Sequence, residues 1–277
     1  DVNGDGYADI IVGLPHYHTD TLDNAGAAYV FFGSADGLAA DFDWIDIGAQ
    51  GAALFGAEVN AAGDVNGDGF ADVLIGAPFY NDTTSGFDDV GIIYLYAGHA
   101  DGLSNVPAWT FKGGQSGEHM GNAAAAAGDV NGDNCADIVV GAPAYNTGEL
   151  LNAGRALVFY GCRGTASGLN EVPDWAYAFT QEGANFGIDV SSGGDTNGDG
   201  YDEVLVGAYF YDDEQSGEGA VFAFFGGPDG LAVQPEWQVE GNKNDTHFGY
   251  SVDSAGDTDG DGLSDALIGA PQFRVEE

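Results

Sequence analysis

Positive charge is what this 277-residue chain has least of: Lys and Arg together number 5 against 45 Asp and Glu, a formal net charge of −40. Such a balance repels phosphate backbones and anionic lipid surfaces, so nucleic acid and membranes are excluded as expected partners. No apolar run approaches the roughly 20 residues that span a bilayer, so no membrane insertion is expected either. A G-x-S-x-G elbow, a Walker loop and an H-E-x-x-H helix are all missing, and the chain is read as non-enzymatic. It opens at Asp1 with no basic and apolar leader and ends at Glu277, which reads as a fragment or a processed piece. The glycines have no period of three, which excludes collagen.

Glycine itself is abundant, at 47 residues. The chain is 44% hydrophobic and 12% aromatic, with 17 Phe and 13 Tyr, enough to build a core and to exclude disorder despite the charge. Internal repeats decide how that core is organised. The string DVNGDGYADIIVGLP at Asp1 returns as DVNGDGFADVLIGAP at Asp64, DVNGDNCADIVVGAP at Asp129, DTNGDGYDEVLVGAY at Asp195 and DTDGDGLSDALIGAP at Asp257. An aromatic strand follows each of the first four copies, ending at Gly33, Gly98, Gly161 and Gly226. Leu38, Leu103, Leu169 and Leu231 then precede Trp44, Trp109, Trp175 and Trp237 by six residues each time.

Each period reads as four short strands rich in Val, Ile, Phe and Tyr, parted by Gly, Asp, Asn and Pro. NAAAAAG alone would pass for a helix start, but its counterparts in the other copies contain Val, Ser and Gly. Four antiparallel strands per period of some 64 residues is the pattern of a β-propeller blade. The predicted fold is therefore all-β: residues 1–277 as a single propeller domain, with repeats starting near 1, 55, 120, 186 and 248. The Ala, Ser and Gly-rich strand is expected innermost, where blades converge. The count is 17 strands, one more than four blades of four. An open arc of about four to five blades fits that count better than a closed four-bladed ring.

The acidic loops carry the chemistry. Side-chain oxygens fall at loop positions 1, 3, 5 and 9: Asp1, Asn3, Asp5, Asp9; Asp64, Asn66, Asp68, Asp72; Asp129, Asn131, Asp133, Asp137; Asp195, Asn197, Asp199, Glu203; and Asp257, Asp259, Asp261, Asp265. A backbone carbonyl at position 7, from Tyr7, Phe70, Cys135, Tyr201 or Leu263, helps complete the six to eight oxygens that Ca²⁺ takes. Position 6 needs a left-handed turn, which glycine supplies in four loops and Asn134 in the third. Glu203, a longer carboxylate at position 9, predicts a weaker or shifted fourth site. An EF-hand is rejected because position 12 is apolar (Val12, Ile75, Val140, Val206, Ile268) and lies in a β-branched run. The alternative is five acidic turns with no ion, at the cost of stacking carboxylates without a counter-charge. The reading favours about five Ca²⁺ sites at the affinities of extracellular modules.

An FG pair (Phe55-Gly56, Phe186-Gly187, Phe248-Gly249), an acidic loop and a GAP triplet (Gly76-Ala77-Pro78, Gly141-Ala142-Pro143, Gly269-Ala270-Pro271) resemble FG-GAP repeats. These repeats build the seven-bladed N-terminal propeller of integrin α subunits and occur in many bacterial secreted proteins. Met120-Gly121, Gly13-Leu14-Pro15 and Gly207-Ala208-Tyr209 depart from the pattern. The resemblance implies an arc of a seven-bladed ring and calcium-stabilised recognition of proteins or glycans outside the cell.

Cys135 begins one strand of a hairpin and Cys162 follows the end of its partner, so antiparallel pairing makes the two thiols neighbours. A disulfide, and with it an oxidising compartment, is expected; the alternative is two buried free thiols. The rim opposite the acidic loops holds the segments that diverge between repeats, and a protein or glycan ligand is expected there. Tyr17, Tyr80, Tyr145 and Tyr211 recur on it and read as packing, while Asp20, Asp23, Asp82, Asp88, Asp89, Asp212, Asp213 and Glu214 make it acidic. His16 and His18 read as surface residues, with a shared metal as the minor alternative. Asn81-Asp82-Thr83 and Asn244-Asp245-Thr246 match a glycosylation sequon. Two functions remain: a calcium-dependent, non-catalytic adhesion or ligand-binding propeller, secreted or at the cell surface, or the propeller of a secreted hydrolase or lyase.

Overall fold

Runs such as DVLIGA and DIVVGA have no polar face to offer water, so they are stable only as strands covered on both sides. A computed structural model describes residues 1–274 and shows these runs fully buried. In chain order the strands are β1 (Ile10–Leu14), β2 (Ala27–Phe31), β3 (Trp44–Ile47), β4 (Glu58–Gly63), β5 (Asp72–Ala77), β6 (Ile92–Tyr96), β7 (Gly98–His99), β8 (Gly102–Leu103), β9 (Trp109–Lys112) and β10 (Ala123–Gly128). They continue as β11 (Asp137–Ala142), β12 (Arg155–Phe159), β13 (Trp175–Ala178), β14 (Val190–Gly194), β15 (Glu203–Ala208), β16 (Ala220–Phe224), β17 (Trp237–Glu240), β18 (Ser251–Gly256) and β19 (Asp265–Gly269). No helix occurs among the described residues.

The sheets follow the repeats: β1-β2-β3, β4-β5-β6-β9, β10-β11-β12-β13, β14-β15-β16-β17 and β18-β19, all antiparallel. Seventeen strands thus belong to blades, and the two-residue pair β7-β8 is an extra hairpin within the second blade's outer turn that the repeat pattern does not predict. The alanine run forms strand β10 and not a helix, since its neighbours on both sides are strands. β4, β10, β14 and β18 lie side by side across successive blades, which makes the small-residue strand the innermost. Among the described residues the blades form an open arc.

Alternate side chains of each second strand enter different inter-blade cores. Val73 and Ile75 pack with Val30, Trp44 and Phe55 of the first blade side, while Leu74 joins Ile138, Val140 and Phe159 on the other. Val139 in turn faces Val204, Val206 and Phe224. The FG and GAP glycines sit where backbones touch. The N–H of Gly56, Gly121, Gly187 and Gly249 donates to the carbonyl of Gly76, Gly141, Gly207 and Gly269 at 2.9–3.2 Å. A Cβ on Gly76, Gly141 or Gly207 would collide with the FG-position carbonyl of the next blade.

Side chains staple blade to blade at both rims. Indole N–H groups of Trp44, Trp109 and Trp175 donate to the carbonyls of Ser104, Asn170 and Ala232 in the following blade, at 3.2, 2.9 and 2.9 Å. At the other rim Gln50, Gln115 and Gln181 pair like peptide units with the main chains of Asn81, Asn146 and Asp212, donating and accepting one bond each. Tyr80, Tyr145 and Tyr211 pack against the inter-blade cores, as their recurrence predicts, while Tyr17 is half-buried and joins none of these clusters among the described residues.

Candidate metal centres

Four of the five acidic loops are entered through the same device. The inner strand ends in a register shift before Gly63, Gly128, Gly194 or Gly256, each at positive φ, and the chain then turns through nine residues into the next strand. Position 1 organises the turn. The N–H groups of Gly67, Asp68 and Gly69 donate to the Asp64 carboxylate at 2.8, 3.0 and 2.8 Å, and those of Gly132, Asp133 and Asn134 donate likewise to Asp129. Asp68 N–H also donates to Asn66 Oδ1, and Phe70 N–H to Asp68 Oδ1, at 2.9 and 3.1 Å. Asn134 takes the left-handed conformation at φ 66°, as its position requires.

Position 9 closes the loop from the strand side. Val65 N–H donates to Asp72 Oδ2 at 3.1 Å, and Gly98 N–H, from the end of the neighbouring strand, to Oδ1 at 3.0 Å. Asp137 accepts equivalently from Val130 and Gly161. Asp72, Asp137 and Glu203 are fully buried. Burial pushes the Asp72 carboxyl up to about 6 and that of Asp137 up to about 7, with the other acids of the same loop adding to the shift. Glu203 is raised for the same reason. A cation beside these groups would reverse that cost.

Two loops gather three carboxylates closely. Oxygens of Asp195, Asp199 and Glu203 lie within 4.8 Å of one another, as do those of Asp257, Asp259 and Asp265. Among the described residues these are the acidic groups that converge so tightly; the first three loops do not bring three carboxylates that near. Glu203 reaches its cluster despite its extra methylene, held at 2.6 Å by both the N–H and the hydroxyl of Thr196. The donors in all five loops are carboxylate or amide oxygens, a set that fits a hard divalent cation and not a thiophilic metal.

Other expectations resolve plainly. Cys135 and Cys162 form a disulfide with Cα atoms 6.0 Å apart. His16 and His18 turn to Asn24 and Asp23 and join no acidic cluster. Thr246 of the second sequon is buried, its hydroxyl donating to the Glu218 carbonyl. On the divergent rim, Asp82 pairs with Lys112 at 3.1 Å. Sequence reasoning missed the ion pair of buried Glu118 with Arg155, whose guanidinium also stacks on Tyr145 at 4.2 Å. It also missed the glutamine staples, although Gln50, Gln115 and Gln181 each stand six residues after a repeat tryptophan.

A profile of the FG-GAP repeat matches residues 1–31, 55–96, 120–159, 186–224 and 248–276. The chain belongs to the FG-GAP repeat family. Among similar FG-GAP proteins, integrin alpha pat-2 of Caenorhabditis briggsae is 31% identical over 226 residues, covering 76% of this chain and 17% of that protein. Integrin alpha-PS5 of Drosophila melanogaster is 35% identical over 168 residues, covering 58% of this chain and 16% of its own length. This FG-GAP chain therefore spans about one-sixth of the length of these relatives. Among solved structures, the rhamnogalacturonan lyase PL11 of Bacillus licheniformis superposes with a TM-score of 0.44 at 12% identity, over 96% of this chain and 54% of that one.

Proposed function

We propose that residues 1–277 form one calcium-binding FG-GAP propeller domain that recognises a protein or glycan ligand outside the cell and performs no catalysis. The observation that carries the calcium part is the convergence of three carboxylates in each of the fourth and fifth loops, in an all-oxygen donor set. Position 1, 3, 5 and 9 side chains would hold the ion, with the position 7 carbonyl beside them. The ion would supply positive charge at the end of each inner hairpin and lock the nine-residue turn. The disulfide and the integrin α relatives support an extracellular setting. The rim opposite the acidic loops is the ligand face in this reading, because its segments differ from blade to blade while the loops repeat.

Metal content and calcium titration calorimetry on the purified chain test the first part, with about five ions expected. A chelator should lower the melting temperature, since an ion bound only by the native state stabilises it. Metal-replete protein with no bound calcium would overturn it. A protein and glycan array, run with calcium and with chelator, tests the second part; turnover of an arrayed substrate would overturn the non-catalytic reading.

A further inference from the structure

Successive acidic loops touch, and the contact repeats. The position 8 amides of Ala71, Ala136, Asp202 and Ser264 donate to the position 1 carbonyls of Asp1, Asp64, Asp129 and Asp195 in the preceding loop, at 3.1, 3.1, 3.2 and 2.9 Å. The position 7 side chain then lies over the position 4 glycine of that preceding loop. A Cβ on Gly4 would come within 2.7 Å of the Phe70 ring, one on Gly132 within 2.6 Å of the Tyr201 ring, and one on Gly198 within 3.0 Å of Leu263. Between the second and third loops the position 7 residue is Cys135, too short for this contact. There the disulfide substitutes: Cys162 Sγ stands 3.0 Å from a Cβ on Gly67, and Cys162 N–H donates to the Val65 carbonyl at 2.9 Å. Tyr7, with no loop before it among the described residues, is exposed.

We infer that position 7 is a positioning site acting on the neighbouring loop, so that the five calcium sites are coupled in series, with the Cys135–Cys162 disulfide making the link between the second and third. The inference rests on the calcium reading above. The position 4 glycine, at φ 72–82° in all five loops, sits in the turn between the ligands of positions 3 and 5. A ring or disulfide seated on it limits how far those ligands separate. The same position 7 residue offers its own carbonyl to the ion of its own loop. Ordering one loop thus removes part of the ordering cost of the loop before it, which is positive coupling, and linkage makes the effect reciprocal.

The test is calcium titration calorimetry on the full chain carrying Tyr201→Phe or Tyr201→Ser, each also placed in a background where Asp129→Asn and Asp133→Asn disable the third loop. Tyr201→Phe keeps the ring and should titrate like the parent. Tyr201→Ser should weaken one ion about fivefold to tenfold, the size of a modest allosteric coupling. In the disabled background it should leave the remaining ions unchanged, because the loop it positions no longer binds. Equal weakening in both backgrounds would place the effect in the tyrosine's own loop and overturn the inference, as would no weakening in the parent. Leu263→Ala, read against Asp195→Asn with Asp199→Asn, repeats the test one loop along with a smaller side chain, should Tyr201→Ser lose its near-ultraviolet dichroism. Replacing both cysteines by alanine should weaken one ion in the parent and none where Asp64→Asn and Asp68→Asn disable the second loop. A parent chain that binds no calcium overturns the calcium reading and this inference together; calcium binding by the parent without the background dependence overturns only the coupling.

Discussion

Glu58 offers a sharp test of the propeller axis. It stands on the innermost strand β4, and β4 and β14 flank the alanine strand β10. Burial pushes its carboxyl from the usual 4.5 up to about 7, and the charge of Asp189 on the next side adds to the shift. Asp189 is itself raised by burial, although it accepts the N–H groups of Val190 and Val252. An acid whose folded value is raised destabilises the fold once it ionises. The penalty begins as pH rises past the unfolded value and is complete above the folded one. With values of 4.5 and about 7 it stays under about 1 kcal/mol at pH 5 and reaches on the order of 3 kcal/mol at pH 8. Glu58→Gln removes the charge and keeps an oxygen to accept the Ala124 amide. Urea melts of both proteins at pH 5 and pH 8 should therefore show the variant gaining about 2–3 kcal/mol over the parent across that interval. Carboxylates that do not interact with Glu58 cancel in the difference. Parallel pH dependence of the two proteins would refute the placement of Glu58 in a desolvated, acid-flanked axis.

Three further outcomes follow from the inter-blade contacts. Gln115→Ala deletes one donated and one accepted bond to the Asn146 main chain and should cost about 1–2 kcal/mol in a chemical melt, with Gln115→Glu intermediate. Gly141→Ala drives a methyl into the Gly187 carbonyl and should abolish soluble folded protein, while Gly114→Ala, with nothing within 4 Å of its Cβ, should change stability by less than about 0.5 kcal/mol. Trp109→Phe should cost about 1–2 kcal/mol, losing buried area and the bond to Asn170, whereas Trp237→Phe, at a residue 40% exposed and followed by only the two inner strands β18 and β19 among the described residues, should be close to neutral.

Where the sequence speaks through recurrence, it speaks clearly. Five DxxGD-type loops, four tryptophans at one offset and four aromatic strands mark the blade and its innermost strand. The cysteines were legible because antiparallel pairing leaves little choice of neighbour for the two strand ends. What stayed hidden lies in contacts that carry no periodic signature. Glu118 and Arg155 are 37 residues apart and occupy positions that are Ala53 and Ile92 in the preceding repeat, so nothing in a single copy marks them as partners. Gln50, Gln115 and Gln181 do recur, but a polar residue in a divergent rim segment looks like solvent-facing variation until the backbone it pairs with is seen. The seating of each position 7 side chain on the loop before it is likewise a relation between repeats, invisible to an alignment that stacks them one above another.

Several departures from the repeat fall on the third blade. Its inner strand β10 has no side chain larger than a methyl, and alanine is somewhat depleted in strands, so this strand brings little intrinsic preference of its own. The same blade holds the disulfide, which closes a span of 27 residues and on loop-closure entropy contributes about 3.5 kcal/mol. It also holds two of the five basic residues: Arg155, bound to buried Glu118 and stacked on Tyr145, and Arg163, 3.4 Å from Asp174 and over the Tyr160 ring. β10 lies between β4 and β14 at the axis, where the charge of Asp189 acts on Glu58. The repulsion and the thin packing created there are offset at the blade's two ends, by a covalent link beside the acidic loops and by a desolvated ion pair at the opposite rim. A repeat protein is stabilised by neighbour contacts as much as by each unit's own strands. A weak inner strand is therefore tolerated where the blade around it is tied at both rims.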